Sequence, residues 1–254
     1  MNEKILKKVL LIVCIVFVAS SCKKELQIGF HTIPYNNDMP TLYDDEGADY
    51  FNHINDNNKS RYYIINDYYN MKNSETLHII PEFKTYQETT EYSCGCAVAL
   101  MVLNHYGNND FDEIQIGEKV KVDTSKGTFV EGLVDFFKSL GYTVDYNAST
   151  NKVFDGLVAF EEFVIEKIDK KIPIMVDWVD WTGHWQIIIG IDTCNGNNPY
   201  DDVLILADPY DVTDHYQDGY YTFPLARFYE MWREGPCAEK QVPYEQPYVI
   251  AYKK

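Results

Sequence analysis

Cysteine is scarce in this chain, with six among 254 residues, which excludes a disulfide-dense scaffold. Two of them, Cys14 and Cys22, lie at the start, leaving Cys94, Cys96, Cys194 and Cys237 for the body of the protein. Of these only Cys94 and Cys96 are near each other in sequence. A zinc site would lack its second close pair of ligands, so no metal and no cofactor is expected. Positive charge is also sparse: 22 Lys and Arg stand against 39 Asp and Glu, a net charge of -17. Phosphate backbones and anionic lipid surfaces are repelled by such a chain, which argues against nucleic acid as a partner. The one long apolar run, residues 9–19, is shorter than a membrane span needs. Repeats and low-complexity tracts are absent, so the chain is no solenoid.

What is present begins with an address. Lys4, Lys7 and Lys8 precede the apolar run, which ends in Ala19-Ser20-Ser21-Cys22, the pattern of a bacterial lipoprotein signal. Residues 1–21 are therefore expected to be removed and Cys22 lipidated. The protein would then be exported to the cell envelope and held at the membrane through its lipid alone. Residues 22–75, rich in Asn, Asp and Tyr with Pro34 and Pro40, read as a tether and N-terminal extension; the aromatic stretch 61–71 is expected to lie on the domain, as a strand. Residues 76–254 form the domain. Hydrophobic residues make up 46% of the chain and aromatics 15%, enough for one substantial core.

Within the domain, helices come first. Ser93 reads as the N-cap of a helix from Cys94 to about Tyr106, apolar on nearly all sides and stopped by Gly107 and Asn108. Residues 110–122 suggest a shorter helix. Thr128 and Glu131 have capping-box spacing ahead of a third helix that stops at Gly141, and residues 157–170 repeat the helical period. Strands follow: 172–178, 184–192 and 203–209, then 219–223, a short helix from Leu225, and a last strand from Pro247. Helices first and strands later predict an α+β fold, a helical half against an antiparallel sheet.

The residues with chemical potential lie at the junctions of these elements. Cys94, just after a capping residue, sits where unpaired helical N–H groups and the macrodipole favour a thiolate. A thiol nucleophile also needs a base and a group to orient that base. His184 follows Gly183 at the start of one strand, and Asp208 precedes Pro209 at the end of the next, so the two can meet at one edge of the sheet. The order Cys94, His184, Asp208 makes a candidate triad. Trp178, Trp181 and Trp185 around the histidine fit either a substrate groove or a packed sheet face. Asp208, Asp211, Asp214 and Asp218 form an acidic loop without EF-hand spacing, open to calcium or to simple turn chemistry. Cys194 and Cys237 are available to pair, with no spacing rule to fix it.

The run SCGCAVALMVLNHYG from Ser93, GHWQIIIGID from Gly183 and LADPYD from Leu206 together resemble a papain-like cysteine peptidase of family thirty-nine, the group related to bacteriocin-leader peptidases. The resemblance spans roughly residues 81–232. It implies a papain-like fold, a peptide or protein substrate, Cys94 as nucleophile, His184 as base and Asp208 as its orienting partner, acting through a thioester. It also implies a glutamine six positions before the nucleophile as oxyanion donor. Here that position is Glu88 and the glutamine is Gln87, so Gln87 is expected to serve through a local bulge. Cys96 follows the Cys-Gly pair where relatives carry proline or a small residue. These two departures keep an alternative open, a catalytically weakened peptidase fold that binds a partner at the cell surface.

Overall fold

Ile174–Trp178 (β3) and His184–Asp192 (β4) form neighbouring strands at the centre of a seven-stranded sheet, and nearly every residue in them is buried. The structure is a computed structural model that describes residues 31–35, 47–48, 61–62, 64–180, 183–194, 198–212, 216–234 and 243–253. The other strands are Leu77–Ile79 (β1), Thr143–Asn147 (β2), Val203–Ala207 (β5), Tyr220–Pro224 (β6) and Tyr248–Tyr252 (β7). Their order is β2-β7-β3-β4-β5-β6, every pair antiparallel. β4 divides one of its edges: its first half pairs with β3, and beyond an irregularity between Ile188 and Gly190 its second half pairs with β1. Gly190 is required there, since a Cβ would lie 2.9 Å from the His78 carbonyl oxygen.

The helices are Cys94–His105 (α1), Glu113–Val120 (α2), Val130–Ser139 (α3), Leu157–Asp169 (α4) and Leu225–Met231 (α5). α1 is buried without a break from Cys94 to Leu103, as its apolar sequence predicts. Burial of its Val98, Leu100, Met101, Val102 and Leu103 contributes about 1.5–3 kcal/mol each, which fixes the start of α1 against the sheet. The α+β arrangement of helices against an antiparallel sheet is the one expected.

Three local expectations are corrected. Residues 64–71 form no strand; their regular structure is a short 3-10 turn, Tyr68–Asn70, capped by the Asp67 side chain. β2 was not anticipated, because its sequence TVDYN is half exposed and follows a helix stop directly. The capping box belongs to α2, where Asp112 and Gln115 exchange both bonds, and not to α3, whose N-cap is Phe129. Thr128 lies against Cys96 and Gly95 instead, and Glu131 accepts a bond from Tyr244.

The lipoprotein signal, including Cys22, falls outside the described residues. No helix among those described is long and apolar enough to cross a membrane.

Candidate active site

The antiparallel register brings His184 and Asp208 together. β4 and β5 pair Ile187 with Ala207, so the residue after β5 lies level with the start of β4. His184 Nε2 and Asp208 Oδ1 are 2.7 Å apart, with both side chains buried. Asp208 is itself fixed: Oδ1 accepts the Tyr210 N–H at 2.8 Å and Oδ2 accepts from Gln186 Nε2 at 2.8 Å. Gln186 lies two residues from His184 on the same face of β4 and accepts in turn from Trp178 Nε1. With Nε2 occupied by Asp208, Nδ1 is the imidazole nitrogen left for another partner.

Cys94 opens α1. Its side chain borders a cavity of about 160 Å³ lined also by Asp177, Gly183, Trp185 and Glu234. Gly183 and Trp185, the residues on both sides of His184, line the same cavity as Cys94. Trp178 belongs to the core, against Phe223 and Phe228, whereas Trp185 lines the cavity; Trp181 is outside the described residues. A larger hollow of about 570 Å³ beside α1 and α2 is bordered by none of Cys94, His184 and Asp208.

The electrostatics of Cys94 differ from the expectation. Burial, then the nearby Glu88 charge, and also Asp177 and Cys96, push its thiol well above the ordinary range, and only the Trp185 N–H acts the other way. Ser93 makes no side-chain cap bond to the helix. Burial outweighs the helix terminus because taking a thiolate out of water costs more than the about 0.3–1 kcal/mol that a helix dipole contributes.

Gln87, expected as the oxyanion donor, is held by the loop that carries Asp208. Its Nε2 donates to the Asp208 carbonyl oxygen at 2.8 Å, and its Oε1 accepts from the Asp211 N–H at 3.1 Å and from Gln217 Nε2 at 3.2 Å. The amide therefore braces the loop after β5, with one of its two N–H groups taken by the Asp208 carbonyl oxygen. Glu88 is the residue whose charge acts on the thiol. Cys96 is fully buried, with Sγ 3.7 Å from Thr128 Oγ1, and burial raises its thiol to about 12. Cys94, Cys96 and Cys194 are free thiols; Cys237 falls outside the described residues.

The acidic loop is built from turns. Asp211 accepts from the Gly219 N–H and Asp218 from the Tyr220 N–H, while Asp214 falls outside the described residues. Among the described residues no group of three His, Cys, Asp or Glu is placed to hold a metal ion.

Asp177 was missed in the sequence. It is a carboxylate inside the apolar run IPIMVDW, and that oddity was the available signal. Its pKa is raised strongly by burial and then by Glu234, with the backbone amides of His184 and Trp178 acting the other way.

These features agree with comparison to known proteins. The chain matches the Peptidase_C39 like family over residues 80–237, and it belongs to that family. Among solved structures it is similar to the peptidase domain of Streptococcus ComA, described as a bi-functional ABC transporter involved in a quorum sensing pathway. The identity is 19% and the TM-score 0.45, over 67% of this chain and 99% of that domain. No curated protein matches.

Proposed function

We propose that this protein is an exported, lipid-anchored thiol peptidase that cleaves a peptide or amide bond through Cys94, His184 and Asp208. The observation that carries the reading is the buried 2.7 Å pair of His184 and Asp208 next to the cavity bordered by Cys94. Asp208 fixes the imidazole and supports the imidazolium that forms; His184 takes the thiol proton as the sulfur attacks the carbonyl carbon, then returns it to the leaving amine. Because the thiol is held protonated at neutral pH, proton removal accompanies attack instead of preceding it. The resulting thioester is hydrolysed by water with His184 again as base. The Cys94 N–H, in the first helical turn, is the main-chain donor for the oxyanion. An ionised Glu88 nearby opposes charge development, so the enzyme works below the limit its triad allows.

The test is cleavage of a broad peptide library by wild type, Cys94→Ala and His184→Ala. Cleavage lost in both variants is expected; equal cleavage by wild type and Cys94→Ala would exclude the triad. The surface-binding alternative is favoured by one observation, the carboxylates Glu88 and Asp177 acting against the thiolate. It would be supported if wild type cleaved nothing yet retained peptides that compete with alkylation of Cys94. The anchor is tested by mass spectrometry of mature Cys22: a diacylglyceryl thioether is expected, and an unmodified Cys22 refutes it.

A further inference from the structure

We infer that Glu113 is a positioning residue for the segment that carries Glu88 to the nucleophile: its carboxylate, entering from the first turn of α2, ties residues 86–93 into one shape beside Cys94. The inference rests on Cys94 being the reacting thiol. Glu113 is 1% exposed. Oε1 accepts the Thr89 N–H at 3.1 Å, and Oε2 accepts the Thr89 hydroxyl at 2.8 Å and the Tyr86 hydroxyl at 3.0 Å. The Ser93 hydroxyl accepts from the Thr90 hydroxyl at 2.7 Å and donates to the Thr90 carbonyl oxygen at 3.4 Å, and its dipole favours the charged form of Glu113.

These contacts bracket Glu88. Tyr86 and Thr89 lie on either side of it, and Ser93 is the residue before Cys94. None of the ion pairs among the described residues includes Glu113, so three donors from a single segment of the chain hold a buried carboxylate, whose pKa burial raises. Such a carboxylate is costly to bury without those donors, and the donors in turn lose their partner if it is removed. The constraint reaches the chemistry through Glu88, because Glu88 acts on the Cys94 thiol and Glu113 is not among the groups that do; its charge acts on Cys96. The other titratable groups around Cys94 are Asp177 from β3, Cys96 from α1 itself, and Glu91, Lys126 and Glu234 around the cavity.

A double-mutant cycle separates this role from a general structural one. The readout is the pH profile of iodoacetamide alkylation at Cys94, followed by fragment ions that distinguish it from Cys96. Glu113→Gln is expected to release the segment, let Glu88 turn from the thiol, and move the rising limb to lower pH by about half a unit or more, the size of coupling within one network. Tyr86→Phe, which keeps the charge and removes one donor, should move it the same way by less. In a Glu88→Gln background both substitutions should leave the limb within about 0.2 unit of that background. A limb that does not move, that moves to higher pH, or that moves equally in the Glu88→Gln background overturns the proposal. Should Glu113→Gln fail to fold, Tyr86→Phe and Thr89→Val carry the same cycle. Alkylation is read whether or not any peptide is cleaved, so a failed peptidase and a failed positioning role give different results.

Discussion

Cys94 is subject to opposing influences at the scale of single residues. The helix start and the Trp185 N–H favour its thiolate, while burial and two carboxylates oppose it more strongly. A thiol raised in this way binds its proton throughout the neutral range and loses it only as the pH rises past its elevated pKa. Alkylation of Cys94 is therefore expected to climb at alkaline pH with no plateau under acid conditions, and an acidic plateau would contradict the assigned environment. Glu88→Gln removes one opposing charge, so the alkylation limb is expected to move to lower pH; a limb that does not move would contradict the part assigned to Glu88. Asp208→Asn retains the shape of the site but withdraws the carboxylate from His184; a fall in kcat of roughly 100-fold or more is expected, with little change in KM.

Between elements, the fit of α2 against α3 is set by a glycine. A Cβ at Gly132 would lie 2.5 Å from the Val120 carbonyl oxygen, which is backbone and cannot swing aside. Gly132→Ala gains at most about 1 kcal/mol of helix propensity and loses about 1–3 kcal/mol through overpacking, so net destabilisation is expected in chemical denaturation. The same scale shows what the sequence made legible. α1 was readable because its buried run is long and bounded by Ser93 and Gly107, and β3, β4 and β5 because they are apolar and punctuated by turns. β2 was not, since a half-exposed strand paired with a distant one has weak periodicity. His184 and Asp208 were legible as strand-end residues of adjacent strands. The roles of Gln87 and Glu88 were not, because they depend on the Asp208 loop receiving the Gln87 amide, a contact across 121 positions of sequence. Glu113 gave no local signal either, as its partners lie in a loop 24 and 27 residues before it.

For the whole molecule, net acidity leaves its mark on stability. Asp202 is buried, neither of its carboxylate oxygens has a hydrogen-bond partner, and burial, followed by Glu161, Asp192 and Asp201, raises it to about 6. A carboxyl raised above its unfolded value binds its proton more tightly in the native state. Its contribution is thus fully present at pH below about 4 and is lost as the pH rises through about 6. Asp202→Asn, neutral at every pH, should raise Tm relative to wild type at pH 7.5, and the difference should shrink towards pH 4. A difference that does not vary with pH would contradict this account of Asp202.

The central claim is that Cys94 attacks a carbonyl with His184 as its base. It is tested most directly by mixing the protein with a slowly deacylating activated ester of a cleaved peptide, quenching in acid, and mapping the added mass by mass spectrometry. The account predicts one acyl group on Cys94 in the wild type, removable by hydroxylamine, and none on Cys94 in His184→Ala over the same interval. Acylation at another residue, or equal acylation of Cys94 in both proteins, would contradict it.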